Sequence, residues 1–303
     1  MNHNGFAAIL AAVIMSAACE TLPESPSVSG GGVVEEGIPV SVSVNLGTSP
    51  FSMDTRASDS HTYEVENLIY DIWVIQFNNR GQRIGSEYFP REGLAGQFIE
   101  NFEVGLVTAM GCTVCLVVNT EDASLHWPDN LPDFQETMFD VKANNELDRT
   151  RIPMCGYWKG DVSGNMHELT VLLSRMMARI NLVVNNGTGE TLGDLEVELG
   201  NVPTMAYVYP MVDHEILPET AYLEDSFTDV LPEGLAAGAS ETFHHYIAPN
   251  ICGSEEFATT VKITSGDREW NVTLGTNSPD TAERIYTLYA NNYYTFTLNL
   301  KAE

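Results

Sequence analysis

The chain has 303 residues, with 14 Lys and Arg against 42 Asp and Glu, a formal net charge of −28. A charge that negative excludes a protein built to grip nucleic acid, and it disfavours a polybasic face for anionic lipid, because both need clustered cations to displace phosphate counterions. Hydrophobic residues make up 44% and aromatics 9%, enough to build cores in about two domains of ~150 residues each and unlike a disordered chain.

The first eighteen residues carry no charged side chain and contain an apolar run of ten, Phe6 to Met15. Such a run is too short for a hydrocarbon core of ~30 Å, but it fits the centre of a secretory signal, with Ser16, Ala17 and Ala18 as small residues before a cleavage point. Cys19 follows, and small residues ahead of a cysteine resemble the lipobox of bacterial lipoproteins, in which the signal is cut before the cysteine and the cysteine is acylated. The pattern departs from that family in two places: no Lys or Arg precedes the apolar run, and Ser16 stands where Leu is usual. On this resemblance residues 1–18 are a signal peptide and Cys19 is the lipidation site, anchoring the chain to a membrane at ~0.8 kcal/mol per buried CH₂. The bland reading is a plain cleaved signal with Cys19 incidental. Residues 19–36, rich in Pro, Ser and Gly, cannot bury a core and read as a flexible tether.

From Gly37 the dominant period is two. Ile38, Val40, Val42, Val44 and Leu46 alternate with Pro39, Ser41, Ser43 and Asn45, the pattern of a strand with one buried face. Leu68 to Phe77 is apolar on both faces apart from Asp71 and Gln76, which predicts a central strand of a packed sheet, and Asn78-Asn79-Arg80-Gly81 supplies a turn after it. Leu131, Phe134 and Met138 follow helical spacing after Pro132-Asp133. Alternation returns at Leu169 to Leu173, Met177 to Val184, Leu195 to Leu199, Val261 to Ile263, Trp270 to Leu274 and Tyr294 to Leu300. Many short strands with almost no helix predict an all-β architecture of sandwiches or barrels. The expected division is a first β-sandwich over residues 37–175 and a second over 176–303.

No constellation of catalytic type stands out, so no enzyme, cofactor or metal is expected. Cys112-x-x-Cys115 lies in an apolar β run, where residues three apart face opposite sides, and no second pair completes a tetrahedron. Cys112, Cys115, Cys155 and Cys252 therefore read as buried thiols, although an exported chain also permits a disulfide. His244 and His245 are adjacent on a predicted strand and point apart. Glu224 to Asp229 is acidic but lacks the glycine and spaced oxygens of a calcium loop. Tyr286, Tyr289, Tyr293 and Tyr294 offer either a platform for sugars or cross-strand packing, and packing is the simpler reading.

Several segments, taken in order, resemble the fimbrillin superfamily of Bacteroidetes surface lipoproteins, subunits and anchors of protease-assembled (type V) pili. Val65 to Ile84 resembles that family's first central strand. RIPMCGYW, Arg151 to Trp158, is similar to its "iPM-x-G" segment. LLSRMMARINLVVNN, Leu172 to Asn186, resembles the strand that opens the second domain, and FHHYIAPN and YANNYYTFTLNL resemble two later strands. Ala248-Pro249 and Ala290 depart from the usual residues there.

The resemblance implies two tandem transthyretin-like (Greek-key) β-sandwiches, displayed at the outer membrane as a lipoprotein or in the fimbrium. In pilins of the family an Arg-specific protease removes a first strand, and a strand from a neighbouring subunit fills the groove. Carried onto this chain, Arg56 is the candidate cut, and the candidate exchanged strand holds Ile38, Val40, Val42, Val44 and Leu46. Five buried apolar side chains at ~1.5–3 kcal/mol each make the groove worth roughly 7–15 kcal/mol to a replacement strand. The implied partners are other pilus subunits by strand addition, the membrane through the lipid, and a host or bacterial surface ligand. The alternative is a surface lipoprotein that binds glycans. Asp280-Thr281-Ala282 resembles an O-glycosylation tripeptide of the same bacteria.

Overall fold

The computed structural model describes residues 36–48, 52–53, 66–90, 101–140, 151–210, 216–218, 222, 227–277 and 284–302. The period-two pattern is realised in them as nineteen strands. The first nine are β1 (Pro39–Thr48), β2 (Ser52–Met53), β3 (Ile72–Phe77), β4 (Arg83–Phe89), β5 (Asn101–Val107), β6 (Ala109–Val118), β7 (Met138–Asp140), β8 (Met154–Val162) and β9 (Glu168–Arg175). The rest are β10 (Ala178–Gly187), β11 (Leu195–Gly200), β12 (Met205–Tyr207), β13 (Phe227–Leu231), β14 (Ser240–Ile247), β15 (Thr260–Ser265), β16 (Arg268–Thr273), β17 (Thr276–Asn277), β18 (Arg284–Ile285) and β19 (Asn292–Lys301). The chain is all-β, with one short α-helix, α1 (Leu131–Gln135), and one 3-10 turn (Glu255–Phe257) among the described residues.

In the N-terminal half, β4-β3-β6-β8 form one layer and β9-β1-β5 the other. The layers join at a corner where β8 meets β9 only at Met154–Arg175 and Cys155–Ser174. Alternation puts Val42, Val44, Val104, Leu106 and Val171 of one layer against Ile72, Val74, Val114 and Leu116 of the other. The C-terminal half repeats this plan strand for strand. Its layers are β14-β10-β19 and β13-β11-β15-β16. In each half the opening strand lies between an antiparallel and a parallel partner: β1 between β5 and β9, and β10 between β14 and β19. The second core is built from Ile180, Leu182, Phe296 and Leu298 against Leu195, Val197, Ile263 and Trp270.

A third apolar cluster joins the halves. Trp73, Ile75, Phe77, Cys115 and Val117 on the outer face of β3 and β6 meet Trp127 and Phe134, together with Tyr209, Tyr246, Ala248 and Tyr293 from the C-terminal half. This is why the Leu68–Phe77 segment is apolar on both faces: one face fills the first sandwich and the other the junction. Two short ladders also bridge the halves, β7 with β12 and β2 with β19.

Two elements end differently from their sequence pattern. The central strand begins at Ile72 rather than Leu68, because Asn119 takes over the backbone there: its Oδ1 accepts from Tyr70 N–H at 2.8 Å and its Nδ2 donates to Leu68 O at 2.9 Å. Asn119 reaches this position from a left-handed backbone (φ 61). Asp71 then accepts from the Thr120 and Glu121 amides and the Thr120 hydroxyl, and burial still pushes its carboxyl above the ordinary range. The helix stops at Gln135, capped at its start by Asn130, because Met138 pairs in β7 with Tyr207 of β12.

The glycine of the Arg151–Trp158 segment has a steric reason. A Cβ on Gly156 would lie 2.3 Å from the Leu172 carbonyl oxygen, where β8 crosses onto β9. Gly156→Ala is expected to lower stability by about 1–3 kcal/mol or more, measured by urea unfolding, because backbone must move to admit the methyl.

Candidate assembly site

β1 lies inside its layer. Its antiparallel ladder with β5 runs from Pro39–Val107 to Asn45–Asn101, and its parallel ladder with β9 from Ser43–Glu168 to Thr48–Leu173. Taking β1 away would leave two facing rows of unpaired amides and carbonyls, which is a site for another extended chain. The start of the strand is closed by Thr108, whose amide donates to Ile38 O while its hydroxyl accepts from Ile38 N–H. On the outer face Ser41 Oγ donates to Glu103 at 2.8 Å, an exposed contact of small energetic weight.

The five side chains predicted to fill the core do so unequally. Val42 and Val44 are fully buried, and Val40 and Leu46 are partly buried against the same core. Ile38 is a correction: it precedes the strand and is 42% exposed. Its place in the alternation is right, but it pairs with Thr108 at the end of the layer, and among the described residues its side chain is not covered. The groove is therefore smaller than five full burials. The two valines contribute about 3–6 kcal/mol at ~1.5–3 kcal/mol each, with lesser shares from Val40 and Leu46.

The far wall of the groove has a support that the sequence pattern does not reveal. Gln76, 1% exposed, is the polar exception in its strand. Its Nε2 donates to Val107 O at 2.6 Å and its Oε1 accepts from Val107 N–H at 2.8 Å. The amide thus pairs with the outer edge of β5 as a strand would, tying that edge to the opposite layer. A cavity of about 250 Å³ lies beside it, lined by Val74, Gly85, Glu87, Gly105 and Leu106 among others. A polar residue inside an apolar strand was the available signal, but its partner 31 residues away was not visible from spacing.

Other predicted positions fall as follows. Cys19, Arg56 and Asp280 to Ala282 lie outside the described residues. Cys112 faces the first core and Cys115 the junction, so the C-x-x-C pair is split across the sheet. Cys112, Cys115, Cys155 and Cys252 are all free and buried, and burial pushes each thiol up. No group of His, Cys, Asp and Glu suited to a metal ion occurs among the described residues. His244 Nδ1 sits 2.6 Å from Asn181 Oδ1, whereas His245 approaches Asp229 at 3.2 Å, so the two histidines serve different surroundings. Tyr293 and Tyr294 are buried, and the Tyr294 hydroxyl accepts from Tyr289 N–H. Those two rings are packing, not a sugar platform.

No protein-family profile matches the sequence, and no curated protein sequence does. Solved structures do match across both halves. A candidate cell adhesion protein from Parabacteroides distasonis superposes with a TM-score of 0.63 at 18% identity, over 88% of this chain and 90% of its own. The chain shares its fold with solved cell adhesion and fimbrial proteins of Bacteroidetes. The C-terminally truncated tip fimbrial protein Mfa3 from Porphyromonas gingivalis superposes with a TM-score of 0.57 at 16% identity, over 87% of this chain and 95% of its own. A fimbrial assembly protein from P. distasonis gives 0.52 at 15%, over 87% and 92%.

Val42→Ala and Val44→Ala are each expected to lower unfolding free energy by roughly 1.5–3 kcal/mol, and Ile38→Ala by less than about 0.5 kcal/mol, in urea titrations. In a chain starting at Glu20, the four buried thiols should resist an aromatic disulfide reagent in the native state and all react after unfolding.

Proposed function

We propose that this chain is a non-enzymatic, adhesive fimbrial subunit or pilus anchor of the cell surface, assembling by exchange of β1 for a strand of another subunit. The shared fold supports the fimbrial part of this reading, since the solved structures with that fold include a tip fimbrial protein and a fimbrial assembly protein. The observation that carries the exchange is the place of β1. It is an internal strand, flanked on both sides by ladders, and it fills the core with only two fully buried side chains. Main-chain pairing with modest side-chain burial is what an incoming strand can replace.

In this reading the sandwiches are two domains, residues 37–175 and 176–303, and a lipid on Cys19 holds the exported chain at the outer membrane. Arg56 is the cut that separates β1 from the remainder. The net charge of −28 then acts on assembly, because like-charged subunits repel until salt screens them.

The test is cleavage after Arg56 in the chain starting at Glu20, followed by an unboiled gel and negative-stain microscopy. The expected result is loss of the β1 fragment and a heat-labile ladder of multimers. Raising ionic strength from about 0.01 M to 0.15 M, which shortens the Debye length from ~30 to ~8 Å, should speed ladder formation. A cut product that stays monomeric under all these conditions would sink the exchange mechanism.

A further inference from the structure

The chain between Met53 and Glu66 carries Arg56, and its two ends are fixed at one row of the C-terminal half. On the upstream side, Ser52 and Met53 pair in parallel with Asn292 and Tyr293 of β19. On the downstream side, the Glu66 carboxylate is 1% exposed and accepts from Arg179 Nη1 of β10 at 3.0 Å and from the Tyr246 hydroxyl of β14. Arg179 and Tyr293 are themselves partners in the β10–β19 ladder, and the guanidinium lies 5.1 Å over the Tyr293 ring and 5.8 Å over that of Tyr246. Met53, Tyr293, Arg179 and Glu66 thus form one line across the sheet.

The two anchors differ in kind. β2 is a ladder of two residues. Glu66 is half of a buried ion pair, and the next residue, Asn67, accepts from Arg175, whose guanidinium also donates to Asn291 at 3.3 Å. Removing one member of a buried pair strands the other charge in apolar surroundings, so such a pair resists opening far better than two edge residues do. Just beyond it, Ile69 and Ile72 enter the first core opposite β1.

We propose that Glu66 sets the boundary between what leaves and what stays when the chain is cut between these anchors. Upstream of the cut, β1 and β2 are held by ladders and depart together. Downstream, the Glu66–Arg179–Tyr246 clamp keeps the new end seated on the C-terminal half. That in turn keeps the start of β3 in place as the floor of the vacated groove. Glu66 acts through the backbone that it anchors and is a positioning residue. The inference rests on the strand-release reading above.

The experiment places a sequence-specific protease site after Arg56 in the full chain, in wild type and in Glu66→Gln. Hydrogen exchange of residues 67–72 is followed by mass spectrometry before and after cutting. In the uncut chain both proteins should protect these amides, since the upstream anchor is intact. After cutting, wild type should keep its protection, while Glu66→Gln should exchange there roughly a hundredfold faster. Equal protection in the two cut proteins would overturn the clamp. Should Glu66→Gln fold poorly, Tyr246→Phe removes one of the two bonds to Glu66 and should show an acceleration of about tenfold. The same spectra report whether the upstream fragment departs. Its retention in both proteins would count against strand release, while residues 67–72 still decide the clamp.

Discussion

The constraint on which this architecture depends is that an internal strand must have both rows of its main-chain groups paired. β1 meets it with an antiparallel ladder on one side and a parallel one on the other. A parallel partner cannot be joined by a tight turn, so β1 and β9 are far apart in sequence, and the strands between them include all four of the opposite layer as well as β5 beside β1. The opening strand of the chain is thereby also a closing strand of the sandwich. Its loss opens a slot within the fold rather than trimming an edge.

The same constraint is solved twice, with different surroundings for the two opening strands. β10 holds the place in the second half that β1 holds in the first. Yet β10 follows β9 after only Met176 and Met177, and Arg179 near its start is buried in the clamp with Glu66. No Lys or Arg occurs from residue 180 to 261, so a protease that cuts after basic residues has nowhere to free β10 on its downstream side. The matching strand order thus leaves β10 without a nearby basic residue at which such a cut would free it, whereas Arg56 follows β1. The difference lies in connections and charge placement, not in the sheets.

The junction ties these behaviours together. Its apolar part uses the outer face of β3 and β6, so the strands that floor the β1 groove also carry the contact with the second half. Its polar part is small and specific: Glu66 with Arg179 and Tyr246, and Asn67 with Arg175. Apolar burial supplies most of the attraction, and the ion pair fixes the register of the segment that passes through it.

Much of this was legible along the chain because a strand's period is local. The alternation of Val40, Val42, Val44 and Leu46, the two-faced run around Trp73 and Ile75, and the split of Cys112 from Cys115 all follow from side chains pointing alternately up and down. The order of motifs pointed to the fold that the solved cell adhesion and fimbrial proteins share. What only the tertiary structure decided was where each pattern stops and which distant group completes it. Ile38 continues the alternation yet precedes the strand, where its backbone pairs with Thr108, 70 residues away, and its side chain stays exposed. Gly156 owes its lack of a side chain to the Leu172 carbonyl, and Gln76 owes its burial to the Val107 peptide. Glu66, one acid among 42, is set apart only by meeting Arg179 and Tyr246 in an apolar junction. Local spacing encodes which face a residue presents, but the partners across a β-sheet are chosen by long-range pairing, and no short window of sequence contains them.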